Sequence, residues 1–138
     1  MVMKYVLDAC AVVTLVKDED GADIVEGILE DADVGKAEVF MNKLNLFEVF
    51  YGIRRAEGLQ QAEDVCNMVL RLPITVIDGI SDTVFREASR IKSSYRMSVA
   101  DSIALAEASV MGASLVSSDH HEFNAIEQSE DIKFTWIR

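Results

Sequence analysis

MVMKYVLDACAVVTLV, residues 1–16, is an apolar run interrupted by only two charges, Lys4 and Asp8. The part that ends at Asp8 reads as a short strand, nearly continuous in apolar residues, of the kind buried on both faces of a parallel sheet. An aspartate that closes such a strand and runs at once into ACAVV sits where an unpaired charge is costly. Four further segments read as short strands: AEVFMN (37–42), ITVID (74–78), ASLVS (113–117) and IKFTW (132–136).

Helical patterns lie between them. ADIVEGILED (22–31) sets Ile24, Ile28 and Leu29 on one stripe. NLFEVFYGIRRA (45–56) is apolar around much of its circumference, and LQQAEDVCNMVLR (59–71) and SDTVFREASRIKSSY (81–95) follow. SVADSIALAEASVMG (98–112) ends on Gly112, a C-cap residue, and a short helix is expected around Phe123. Strands alternating with helices predict an α/β domain, a parallel sheet flanked by helices in three layers. At 138 residues the chain is expected to form one domain, 1–138, with a core of its own.

Composition narrows the setting. Half the residues are hydrophobic, which excludes a disordered chain, and one proline with seven glycines leaves no room for a long linker. The apolar stretch 9–16 is too short to span a bilayer, and Lys4 and Asp8 interrupt any signal-peptide core. A cytoplasmic protein with no membrane partner is expected. Cys10 and Cys66 fall among apolar neighbours and are expected to be buried thiols rather than a disulfide framework.

The net charge of −11 argues on its face against nucleic acid, but its distribution weakens that argument. Eight acids and no base lie between Asp18 and Asp33, the pattern of a solvated acidic face. Arg86, Arg90, Lys92 and Arg96 cluster in FREASRIKSSYR with only Glu87 among them, and Arg54 and Arg55 make a second basic group.

Four acids fall where such a sheet brings side chains together: Asp8, Glu48 in NLFEVFYG, Asp101 in SVADSIALAEA, and Asp119 after ASLVSSD. Each lies just past a strand or near a helix start, positions that meet in one crevice outside the carboxyl ends of the strands. Carboxylates gathered without a base beside them in sequence call for a cation, and oxygen ligands select Mg²⁺ or Mn²⁺. Each acid also has a plainer role. Asn45 with Glu48, and Ser98 with Asp101, are spaced like capping boxes, and Asp119 can cap a helix. His120 and His121 lack partners at zinc spacing, and Trp136 reads as strand packing.

With these residues in place, the chain resembles the PIN-domain proteins, and among them the single-domain VapC-type ribonuclease toxins. VLDACAVVTLV, NLFEVFYGI, SVADSIALAEA and LVSSDHHEF carry the likeness, which spans essentially the whole chain. The resemblance implies a Mg²⁺- or Mn²⁺-dependent endoribonuclease, an RNA substrate and a cognate antitoxin that covers the active site. It assigns Asp8, Glu48, Asp101 and Asp119 as catalytic and metal-holding acids, with Ser117 as a supporting hydroxyl two places before the last. Cys10 departs from the family's frequent Ser or Thr, and a thiol is a weaker donor for orienting Asp8.

Asp8 and Asp101 are expected as the more direct metal ligands, and Arg86, Arg90 or Arg96 to steer substrate phosphates. A helix as apolar as 45–56 needs a cover, and a homodimer contact is expected there. Two other readings compete. A phosphoacceptor receiver domain would place its acceptor at Asp78, but it needs an acidic pair after the first strand and a lysine ending the last, where Lys133 instead begins it. A PIN-like domain without activity would serve only as a binding module. A DxDxT phosphatase fails at residue 10, and glycine-rich nucleotide loops are absent.

Overall fold

The computed structural model describes residues 2–138. Five strands form one sheet: β1 (Met3–Leu7), β2 (Ala37–Asn42), β3 (Thr75–Ile77), β4 (Ser114–Ser117) and β5 (Lys133–Trp136). Their order is β3-β2-β1-β4-β5, and every pairing is parallel. From β1 the chain winds one way through β2 and β3 and the other way through β4 and β5. The reversal lies between β1 and β4, which makes the carboxyl ends of those strands the place for a site.

Seven helices cover the sheet: α1 (Ala9–Val16), α2 (Ala22–Asp33), α3 (Lys43–Glu57), α4 (Leu59–Arg71), α5 (Asp82–Ser94), α6 (Val99–Met111) and α7 (His120–Ser129). Side-chain alternation along the strands divides the core in two. Leu7, Val39, Met41 and Val116 face α1 to α4, while Val6 and Leu115 face α5 to α7. Successive residues on opposite faces are what a strand imposes. Apolar on both, β1 and β4 must be covered on both, and the three-layer architecture follows. Each of these side chains contributes about 1.5–3 kcal/mol when fully removed from water.

Four details depart from the sequence reading. ACAVVTLV, given no secondary structure above, is the helix α1, capped by the same Asp8 that ends β1. In α2 the buried stripe is Val25, Ile28 and Leu29, and Ile24 turns outward, because residues 25, 28 and 29 share one helical face. Helix α3 begins at Lys43 with Asn42 as its cap, so Asn45 is not the cap and Glu48 lies in the second turn. Cys10 and Cys66 are half-buried rather than buried. Among the described residues no helix is long and apolar enough to cross a membrane.

Candidate active site

The sheet sets the spacing of the site. Leu7 pairs with Val116 in β4 and Val6 with Phe40 in β2. Carrying both registers forward puts Asp8 level with Ser117 on one side and with Asn42 on the other. Adjacent parallel strands lie about 4.8 Å apart, so three polar residues stand side by side along the carboxyl edge.

Asp8 is only 3% exposed. Its Oδ1 accepts the Ala11 N–H at 2.8 Å and so caps α1. Burial pushes its carboxyl up to about 7, against the pull of Ser117 and the Ala11 N–H, and the charges of Asp101 and Asp119 push the same way. Asp101 rides in the first turn of α6, whose cap is the Ser98 hydroxyl, accepting the Asp101 N–H at 3.1 Å. Burial raises the Asp101 carboxyl and Asp119 and Glu122 raise it further, while Ser98 opposes them. Glu48, on α3, is raised by burial and then by Asp101. Asp119 caps α7 through a 3.2 Å bond from the Glu122 N–H.

The charges that push up Asp8, Glu48 and Asp101 come from other acids, namely Asp101, Asp119 and Glu122. The four sequence-predicted acids are therefore electrostatic neighbours, although they come from four different segments. Three of them also cap helices or lie in a capped first turn; the plainer roles coexist with the cluster rather than replacing it. Among the described residues no three Asp, Glu, His or Cys side chains already close on one point. Mutual repulsion of carboxylates favours that spacing, and a hard divalent cation is the partner whose charge and oxygen preference match the donor set.

Ser117 is fully buried; its Oγ accepts the Asp119 N–H at 3.0 Å, and it also eases the burden on Asp8. Cys10 engages its neighbour instead, with Sγ 2.7 Å from the Ser118 Oγ. The arginines divide. Arg90 is held by Glu87 at 2.8 Å and Glu130 at 2.7 Å. Glu87 in turn accepts from Ser109 near the end of α6, about 12 Å along that helix from Asp101. Arg86 lines a surface cleft with Arg90 and Val110, in that same region. Arg96 is exposed two residues before Ser98, beside the helix start that carries Asp101.

Other residues belong to the neighbourhood without having been expected. Glu122 is an additional acid near Asp101, and its spacing of three from Asp119 is a capping signal visible in the sequence. Asn42 donates to the Gly79 carbonyl at 3.1 Å and to the buried Glu107 at 2.9 Å. A cleft of about 540 Å³ opens beside Asn42, Phe47 and Ile80; none of the four acids lines it. His120 bonds Asn124 and the Arg138 carbonyl and stacks on Trp136, which itself stacks on Phe134. Trp136 is thus a packing residue of β5.

Solved structures with the same fold include DNA-bound VapBC from Salmonella typhimurium, at 16% identity, 99% coverage of both chains and a TM-score of 0.72. VapBC-1 from nontypeable Haemophilus influenzae also shares 16% identity, with 98% of both chains covered and a TM-score of 0.72. VapC20 of Mycobacterium tuberculosis, described as a toxin cleaving the sarcin-ricin loop, matches at 16% identity. There 88% of this chain and 94% of that one are covered, with a TM-score of 0.62. No curated protein sequence matches the chain. The sequence profile of the PIN domain matches residues 5–128. With that span, the parallel five-stranded sheet and the acids at its carboxyl edge, the chain belongs to the PIN-domain family.

Proposed function

We propose that this PIN-domain protein is a divalent-metal-dependent endoribonuclease, the toxin of a toxin–antitoxin pair. The observation that carries the reading is the buried Asp8, whose carboxyl, like those of Glu48 and Asp101, is pushed up by burial and by neighbouring acids. Folding has brought like charges together and buried one of them, an arrangement that costs stability unless a cation joins it. Likeness to VapC20 and to VapBC complexes supports the choice of RNA and of an antitoxin partner.

In this reading Asp8 and Asp101 hold Mg²⁺ or Mn²⁺ most directly, with Glu48 and Asp119 completing the site. A bound divalent cation neutralises charge developing on the phosphate and makes an attacking water more acidic. The chain's own residues do the rest. Ser117 and the Ala11 N–H orient Asp8. Glu48, half-buried and with a raised carboxyl, is suited to take the water's proton as the new P–O bond forms and the old one breaks. Arg96 is the arginine best disposed to steer the RNA backbone, since Arg90 is already committed to two glutamates.

Purified protein with Mn²⁺ is expected to cleave a structured RNA, and EDTA is expected to abolish cleavage. Asp8→Asn should remove most activity while leaving the circular dichroism spectrum unchanged. Equal cleavage by wild type and Asp8→Asn would trace the activity to another nuclease and remove the basis for the proposal.

A further inference from the structure

Asn45 is fully buried, and neither its Nδ2 nor its Oδ1 has a hydrogen-bond partner among the described residues. It is the only side chain there in that condition. Burying an unpaired carboxamide is costly, whereas an apolar residue of similar size at the same place would cost nothing of the kind. The position is unfavourable for folding, so it calls for a purpose.

Its direction follows from its neighbours along α3. Residues three apart share a helical face, so Asn45 and Glu48 stand in one row along α3, with Asn42 at its cap. Asn42 reaches α6 through its 2.9 Å bond to Glu107. Glu48 stands further along the same helix, which packs against α6. Asn45 lies between the two, on the helix that packs against α6. On α6 the residue midway between Asp101 and Glu107 is Ala104, which is buried and has no polar side-chain atom to offer. One turn further along the row stands Glu48, a member of the carboxylate cluster.

A carboxamide presents a donor and an acceptor together. A phosphate oxygen can only accept from it, and a cation can only bind its oxygen. A water molecule satisfies both, and it can pass a further hydrogen bond to a carboxylate. We propose that Asn45 is a positioning residue of the active site, holding an ordered water that orients Glu48 and Asp101 for the metal. The inference rests on the metal-dependent reading given above.

The test uses wild type, Asn45→Leu and Asn45→Ala in the full chain. Mn²⁺ affinity is read by electron paramagnetic resonance without RNA, and thermal melting is followed in EDTA. Asn45→Leu should melt as high as wild type or higher, because an apolar side chain of similar size needs no buried polar partner. Both variants should nevertheless bind Mn²⁺ about tenfold more weakly, the usual range for loss of a group that orients ligands. Binding within twofold of wild type by either folded variant overturns the proposal. So does an affinity loss seen only alongside a matching fall in melting temperature, which would make Asn45 a structural residue. If wild type itself binds no Mn²⁺, the metal-dependent reading fails first, and the inference with it.

Discussion

At the scale of the residue, Asp8 combines two demands that oppose each other. It caps α1, and it is a carboxylate taken out of water beside other carboxylates. The consequence is a pH dependence with a definite sign. In the unfolded chain its carboxyl titrates near 3.8, and in the folded protein at about 7. Between those values the folded state holds a proton that the unfolded state has lost, so metal-free stability declines as pH rises from about 4 to 7. The raised carboxyls of Asp101 and Glu48 act in the same direction. Metal-free wild type should therefore melt lower at pH 7.5 than at pH 5, and Asp8→Asn should flatten much of that slope. Its advantage at pH 7.5 should be on the order of 2–4 kcal/mol. Melting curves across the pH range check this, and a wild-type melting temperature that rises between pH 5 and 7.5 contradicts it. The positions of Asp8, Asp101 and Asp119 were legible because each follows an apolar run or lies at a helix start, whereas Glu48 falls one turn deeper in its helix than the sequence suggests. Asn45 was not legible. Its spacing to Glu48 imitates a capping box, and nothing in NKLN says which asparagine caps. Glu107 was hidden as well, because an acid in mid-helix ordinarily faces water.

At the scale of the element, the strands were legible to within a residue or two, because short runs rich in apolar and β-branched residues stand between the helical patterns. Helix α1 was not, since ACAVVTLV is mostly apolar all round and carries no charged residue to mark an outer face. The α3 start was displaced because β2 passes into the helix with no loop, Asn42 serving both as last strand residue and as cap. Gly21 shows where an element boundary depends on one residue. It precedes α2 at φ 101°, and a Cβ there would run into the carbonyl of Ile137. Arg138 fastens the same corner through Thr14 and the Asp20 carbonyl. Gly112, the C-cap of α6 at φ 64°, has open space around it. Gly21→Ala should therefore cost more than about 2 kcal/mol, combining backbone strain with collision, while Gly112→Ala should cost about 1–2 kcal/mol. Urea denaturation of the two variants compares them. Equal losses would mean that the Ile137 contact yields freely.

At the scale of the whole molecule, α3 leaves one side uncovered. Phe47 is 59% exposed and lies tilted against Tyr51, their centroids 5.1 Å apart, and Arg55 lies over the Tyr51 ring. A contact between two copies through this face would cover it. Wild type should sediment as a dimer at tens of micromolar and Phe47→Glu as a folded monomer; a monomeric wild type would refute the contact. The more central matter is whether the acids brought together by the parallel sheet act as one cation site. Thermal melting of wild type and Asp101→Asn, each in EDTA and in millimolar Mg²⁺, addresses it most directly. The α6 cap is made by the Ser98 hydroxyl and the Asp101 backbone, so losing the Asp101 carboxylate leaves that bond intact. In EDTA the variant should be as stable as wild type or more so, because a like charge has been removed. Mg²⁺ should raise the wild-type melting temperature through linked binding and raise that of the variant much less. A variant less stable in EDTA that keeps the full Mg²⁺ increment would show that Asp101 supports its helix and holds no metal.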